Sequence, residues 1–412
     1  MATLPLQVVS SLEVSEHKLQ PQTQISSRKK PVAIVGGSAA GLYTAALLAR
    51  DGVAVQVYEG SQTLDPASRA LIVTHRMREL LGEAAEASIV NEIRRFELFT
   101  DGRAASIELN QPDLIIQRAT LVKSLAAMAQ SAGAKINFGR KFQGFRPGPS
   151  GMSMEFTRVA DGVREEVAAD TVVGGDGSTS RVAHSGGWPP QETVPLIQAI
   201  VPLPKDMSPE TVRVWFVPQD TPYFYWLIPE SKTHGALGLI GVSGAETRLH
   251  LETFMRKRNF EPVGFQGARI PLYRRWIPVR RDFGGGEIYL VGDAAGQVKV
   301  TTVGGIVTGF RGALGVAKSI LNKKQSPELK SLRRELNTHL LLRKSLHHFQ
   351  QADYSRLVDL LNDSARRSLG QYSRDDAMSV LWHICKSQPR LVLMGLRGLL
   401  TRGRAARQDV SR

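Results

Sequence analysis

The sequence predicts an α/β fold with an α+β insert: a parallel sheet, an inserted antiparallel β-sheet and a C-terminal helical region. Three observations carry this. A strand, a glycine turn and an alanine-rich helix occupy residues 31–50, and apolar strands running into small-residue turns recur near 172 and 288. Between 191 and 281 prolines, aromatics and alternating residues replace the βα rhythm. The organisation that follows is a disordered tail over 1–30, a discontinuous domain of 31–185 and 284–345, a substrate domain of 186–283, and a helical region of 346–412.

In chain order, Val32 to Val35 reads as a strand, Ala39 to Arg50 as a helix and Ala54 to Tyr58 as the next parallel strand, one βαβ unit. A helix is expected from Arg69 to Leu81, an amphipathic helix from Ala119 to Ala132, and a short strand from Lys135 to Phe138. Alternating segments run from Gly144 to Val173. Val212 to Val217 and Tyr223 to Ile228 read as antiparallel strands, Gly305 to Leu321 as a helix, and Pro327 onward as mostly helical.

With 412 residues, 42% of them hydrophobic, the chain can bury a large core. A net charge of +15 fits an anionic partner, but the basic residues are dispersed and no zinc spacing or nucleic-acid motif accompanies them, so no nucleic-acid partner is expected. The single cysteine, Cys385, points to a reducing, cytoplasmic setting. No apolar run approaches the ~18 residues of a membrane-spanning helix. Pro389 to Arg412 sets Leu391-Val-Leu-Met394 among arginines at 390, 397, 402, 404 and 407. That pattern suits an interfacial helix in peripheral contact with a membrane, and equally a packed helix with a basic tail.

A dinucleotide pyrophosphate needs bare backbone amides at a helix start, and Gly36-Gly-Ser38-Ala39-Ala40-Gly41 offers them in a GxSxxG pattern. Glu59 closes the following strand, where an acid accepts ribose hydroxyls; a tight βα turn with a capping acid is the competing reading. This Rossmann-like unit makes the turn at Asp176-Gly177 a second nucleotide contact. Arg118 precedes a helix and can reach a phosphate or ribose, or else is a solvated helix-start arginine. In Gly292-Asp293-Ala294-Ala-Gly296, Asp293 can accept ribityl hydroxyls, and the amides at the helix start favour negative charge on a reduced flavin ring. Gly304 and Gly305 end that loop, and Lys299 within it carries no assigned role.

The set AIVGGSAAGL, IQRATLVKSLA, GGDGSTSRVA and VGDAAGQVKVTTVGGI, in that order over residues 31–345, is similar to the superfamily of FAD proteins with the para-hydroxybenzoate hydroxylase type of fold. The last segment most resembles the geranylgeranyl reductase family, in which a proline and a glycine would stand at Val300 and Val303. Pro222 to Pro229 resembles the reductases' YxWxFP strand, with Phe224, Trp226, Ile228 and Pro229 at its positions, and also the WxWxIP of flavin halogenases. Ser68 to Leu81 resembles the segment of aromatic hydroxylases in which an arginine, here Arg69, touches the cofactor.

The resemblance implies an FAD-dependent oxidoreductase fed by NADPH, NADH or a reduced carrier protein. It implies reduction of a carbon-carbon double bond in an apolar isoprenoid-type molecule, with Phe224, Trp226, Ile228 and Pro229 against the substrate. Alternatives are a monooxygenase or halogenase acting on an apolar or aromatic natural product, and a non-enzymatic prenyl-lipid carrier. The proton donor is not assigned; Tyr223, Tyr225 and His75 are candidates, each of which also suits a packing or surface role.

Overall fold

Val32–Val35 is buried at every residue, as a strand covered by helices on both faces must be. It pairs in parallel with Val55–Tyr58 on one side and Thr171–Gly174 on the other. The sheet has six strands in the order Arg280–Phe283, Gly286–Leu290, Thr171–Gly174, Val32–Val35, Val55–Tyr58, Lys135–Asn137. All its pairings are parallel except that of Arg280–Phe283 with Gly286–Leu290. The parallel pairing of three adjacent strands brings Val35, Gly174 and Leu290 to one sheet edge. The three turns that follow these strands therefore meet, although long stretches of chain separate them. This computed structural model describes residues 30–148, 151–391 and 393–395; the expected tail before Lys30 and the basic segment from 396 lie outside the described residues.

A second sheet has eight strands, ordered Gly264–Pro271, Thr193–Pro202, His234–Ile240, Tyr225–Pro229, Thr211–Trp215, Ile89–Thr100, Arg103–Gln117, Ala70–Val73. It is antiparallel except where Thr211–Trp215 runs parallel to Ile89–Thr100. Two sequence expectations change here. The antiparallel sheet expected within 186–283 is not confined to it, because three of its strands come from within 31–185. The segment Arg69 to Leu81 is not one helix: Ala70–Val73 pairs with Leu114 to Gln117, and only Arg76–Leu81 is helical. The run Leu71-Ile-Val73 fills an open sheet edge, and that tertiary pairing outweighs local helix preference. A three-stranded sheet of Arg140–Gly148, Gly151–Arg158 and Arg164–Ala169 packs through Phe156, whose ring stacks on Tyr58 at 4.6 Å between centroids.

The helices Pro327–Leu346, Gln351–Asp359, Asp363–Gln371 and Ala377–Ser387 follow the long Ile306–Asn322. Ser326 caps the first of them, with Pro327 in its opening turn where a missing amide donor costs nothing. Asp363–Gln371 docks so closely on Arg103–Gln117 that a Cβ on Gly370 would come within 1.9 Å of the Glu108 carbonyl oxygen. No helix among the described residues is long and apolar enough to cross a membrane.

Gln297 ties the third turn to the helix behind it. It is fully buried, its Oε1 accepts from the Gly292 amide at 2.7 Å, and its peptide carbonyl accepts from the Thr308 hydroxyl at 2.5 Å. A Cβ on Gly312 would lie 1.8 Å from that Oε1. Gly312→Ala is therefore expected to destabilise the fold by ~3 kcal/mol, combining overpacking with the loss of a buried hydrogen bond, as read from urea unfolding.

Candidate active site

The first two turns meet backbone to backbone. Gly36 has φ +100°, and a Cβ there would lie 2.6 Å from the Gly175 carbonyl oxygen. One on Gly41 would lie 2.5 Å from the Gly36 oxygen. Ser38 caps the helix Ala39–Arg50 by accepting from the Gly41 amide at 3.2 Å, so its oxygen serves the turn itself. Glu59 spans the turn, with Oε2 accepting from Gly37 at 2.6 Å and Oε1 from Ser61 at 2.8 Å.

Gly36, Gly37, Ser38, Glu59, Ser61 and Gly175 line a cavity of about 480 Å³ together with Arg118, Asp176, Gly177 and Arg181. Asp176 caps the helix Arg181–Ser185, accepting from the Ser180 hydroxyl at 2.5 Å and the Val182 amide at 3.0 Å. Burial raises its pKa against the pull of those bonds. Arg140, Lys141 and Phe142 also line this cavity. They arrive at the end of the parallel sheet by tertiary pairing, and no motif in the sequence marks them.

A second cavity, of about 370 Å³, begins at the third turn. Arg69, Asp293, Gly304 and Gly305 line it, and it continues along Phe96, Leu98, Phe224, Trp226 and Ile228 to Leu369 and Arg374. Arg118 joins the two cavities: its amide donates to the Arg69 carbonyl at 3.0 Å, and both guanidinium groups act on Asp293. Burial raises the Asp293 carboxyl, opposed by Arg69 and Arg118. Burial and Arg118 lower Arg69, whose Nε has no protein partner among the described residues. Gly292–Ala295 is a single 3₁₀ turn ended by left-handed Gly296, and Gly292 sits against Ala40, where a Cβ would come within 2.8 Å. Ala40 thus brings the helix start and the third turn close, and Gln191 Nε2 fixes the latter by donating to the Ala294 carbonyl at 2.7 Å. A side-chain-free cradle, an acid at the neighbouring strand end, and a buried Asp293 in the field of Arg69 and Arg118 fit the pyrophosphate, ribose and ribityl groups of FAD.

Strand alternation decides which aromatic residues face the cavity. Phe224, Trp226 and Ile228 line it, whereas Tyr225 is fully buried on the other face, stacked on Phe254 at 4.0 Å and donating to Asp220 at 2.8 Å. Burial and the Asp220 carboxylate push the Tyr225 pKa up. Tyr225 is therefore not positioned to protonate a molecule in the cavity. Tyr223 lies under the Arg343 guanidinium at 4.0 Å, His75 faces Glu79 at 3.6 Å, and neither lines the cavity. Pro229 is likewise outside its lining, its carbonyl accepting from Asn91 at 3.2 Å. Trp226 lies flat because its cross-strand partner is Gly238, where a Cβ would come within 2.6 Å of the indole.

Lys299 forms a buried ion pair with Asp375, whose other oxygen accepts from the Thr74 hydroxyl. The two side chains are 6% and 0% exposed. Burial alone would raise the Asp375 carboxyl, but the Lys299 ammonium and the bonds from Lys299 and Thr74 outweigh it and hold the pKa at about 2. Arg374 pairs with buried Asp113, and Thr301 Oγ1 meets His339 Nδ1 at 2.6 Å. The loop from Gly296 to Gly305 is thus braced from the C-terminal region. Sequence reading missed this because partners so far apart leave no local pattern.

Two outcomes follow from this geometry. Gly36→Ala is expected to abolish FAD retention, read as loss of flavin absorbance after gel filtration of the refolded holoprotein. Lys299→Met strands a buried carboxylate and is expected to cost ~3–5 kcal/mol at pH 7, with most of it recovered in Lys299→Met/Asp375→Leu. Because folding depresses the Asp375 pKa, the pair stabilises the native chain above pH ~4, and its contribution fades as pH falls toward about 2. Urea midpoints against pH for the three proteins would expose a different order.

The fold is that of known flavin enzymes. A geranylgeranyl bacteriochlorophyll reductase-like protein from Thermoplasma acidophilum superposes with a TM-score of 0.72 at 17% identity, covering 88% of this chain and 97% of its own. The flavin-dependent brominase Bmp2 gives 0.66 at 14% identity, covering 93% and 100%. The p-nitrophenol 4-monooxygenase PnpA from Pseudomonas putida DLL-E4 gives 0.60 at 18% identity, covering 90% and 98%. No curated protein sequence matches the chain. The FAD binding domain family model matches residues 29–253, over half of the chain, and covers the first two turns; with the cradle they form, the chain belongs to this family of FAD-dependent oxidoreductases.

Proposed function

We propose that the protein reduces a carbon-carbon double bond in an apolar, isoprenoid-type molecule, using FAD and drawing electrons from NADPH, NADH or a reduced carrier protein. The observation that carries this reading is the continuity of the second cavity: it starts at Asp293 and Gly305 and runs into an apolar trough walled by Phe224, Trp226 and Ile228. The fold likeness to a reductase-like protein supports it.

The first turn and its helix start hold the pyrophosphate, Glu59 the ribose, and Asp293 the ribityl hydroxyls. Held there and reduced by the electron donor, the flavin would supply hydride chemistry to an alkene carbon. Phe224 and Trp226 exclude water, and their ring faces stabilise positive charge that develops on the other carbon. Tyr223, Tyr225 and His75 do not line the cavity, whereas Lys299, carried by the loop that follows Asp293, does. Arg69, beside Asp293, supports a second reading, hydroxylation of a ring in the same cavity. Contact of the basic C-terminal segment with a membrane surface would suit delivery of such a substrate.

The two readings separate in one comparison with geranylgeraniol and the FAD-loaded protein. Reduction predicts that the prereduced enzyme, without oxygen, yields a product gaining two hydrogens. Oxygen uptake stimulated by the alcohol, with a product gaining one oxygen, would establish the hydroxylase instead. Protein that stays colourless with added FAD would refute both and leave a carrier.

A further inference from the structure

Four described non-glycine residues take a positive φ: Asp101, Asn259, Val303 and Lys323. Three have ordinary reasons. Asp101 precedes Gly102 in the tight turn between Ile89–Thr100 and Arg103–Gln117, while Asn259 and Lys323 lie at the ends of the helices Gly244–Lys257 and Ile306–Asn322. Val303 also lies in a turn, the one closed by the Lys299–Gly304 bridge, yet it alone of the four is β-branched. At φ +52° a β-branched side chain crowds its own backbone, and glycine would take the same conformation freely.

The strain is held in place by the loop's braces. Lys299 and Gly304 form a backbone bridge, Lys299 is pinned by Asp375, and Thr301 by His339. Such strain persists where surrounding structure over-determines it, and it gathers at functional sites. Here the side chain that causes it lines the second cavity from the flavin-loop side, while Trp226 lines it from the sheet side. Val303 also belongs to the apolar cluster that includes Trp226, Ile228, Ile240 and Val298.

We propose that Val303 is the specificity-determining residue of this cavity, a steric gate that admits slim isoprenoid chains or single rings and turns away fused-ring molecules. The inference rests on the reading of the cavity as the substrate site. The isopropyl group occupies volume beside the flavin loop that a glycine would leave open, and the braces keep the loop from retreating to make room.

The test titrates the FAD-loaded full-length protein with geranylgeraniol and with 9-anthracenemethanol, following the flavin absorbance bands. Val303→Gly and Val303→Ala are expected to bind anthracenemethanol at least about tenfold more tightly than the native protein, with geranylgeraniol affinity changed by less than about threefold. Val303→Leu is expected to weaken both. Both smaller variants widen the cavity but only glycine relieves the backbone, so Val303→Gly should melt about 2 °C above Val303→Ala. Unchanged anthracenemethanol affinity in both variants, with geranylgeraniol still titrating, overturns the gate while leaving the cavity reading intact. Absence of any geranylgeraniol response in a flavin-loaded native protein overturns the cavity reading and the gate with it.

Discussion

The site depends on one steric constraint: at Gly36 and Gly175 two main chains touch with no side chain between them. A Cβ at Gly36 would fall 2.6 Å from the Gly175 oxygen, so the parallel strands beneath can lie adjacent only while that position stays bare. Adjacency in turn carries the first helix start, the Asp176 turn and the Gly292–Ala295 turn to one edge of the sheet. Glu59 then locks the first turn, and Arg118 links it to Asp293. Helix dipoles, acids and arginines matter here because this contact brings them within reach of one extended dinucleotide.

The second cavity rests on a different kind of restraint. A loop that lines a cavity cannot itself be packed from both sides, so its shape has to be imposed from behind. Lys299 and Thr301 do this by reaching Asp375, in the turn between Asp363–Gln371 and Ala377–Ser387, and His339 on Pro327–Leu346. A buried ion pair is a costly way to gain stability, since apolar residues of similar size would serve as well or better. What it adds is position: it fixes the loop that carries Val303 and joins Arg374 and Leu369 to the cavity wall. The C-terminal helices are thus part of the site and not an appendage to it.

The cofactor half was legible because it is local chemistry. Gly36, Gly41, Glu59, Asp176 and Asp293 sit at fixed positions relative to their own strands, and the βα rhythm shows in a few residues of sequence. The second cavity was only partly legible. The resemblance to the reductases' strand implies Phe224, Trp226, Ile228 and Pro229 against the substrate, and only the first three line the cavity, with the proton-donor candidate Tyr225 on the opposite face. Arg69 to Leu81 read as a helix because its apolar spacing allows one, and only the open edge beside Leu114 to Gln117 turns its first residues into a strand.

By itself the sequence determined the α/β class, the three glycine turns and their order, and a cofactor with a pyrophosphate, because these follow from backbone sterics and strand-to-helix spacing within short windows. Tertiary structure alone decided which strands complete the cavity, that Lys299 meets Asp375, and that Val303 is held in a left-handed conformation. Those features arise from pairing between segments far apart in the chain, where the energy lies in burial and fit and not in any local residue pattern.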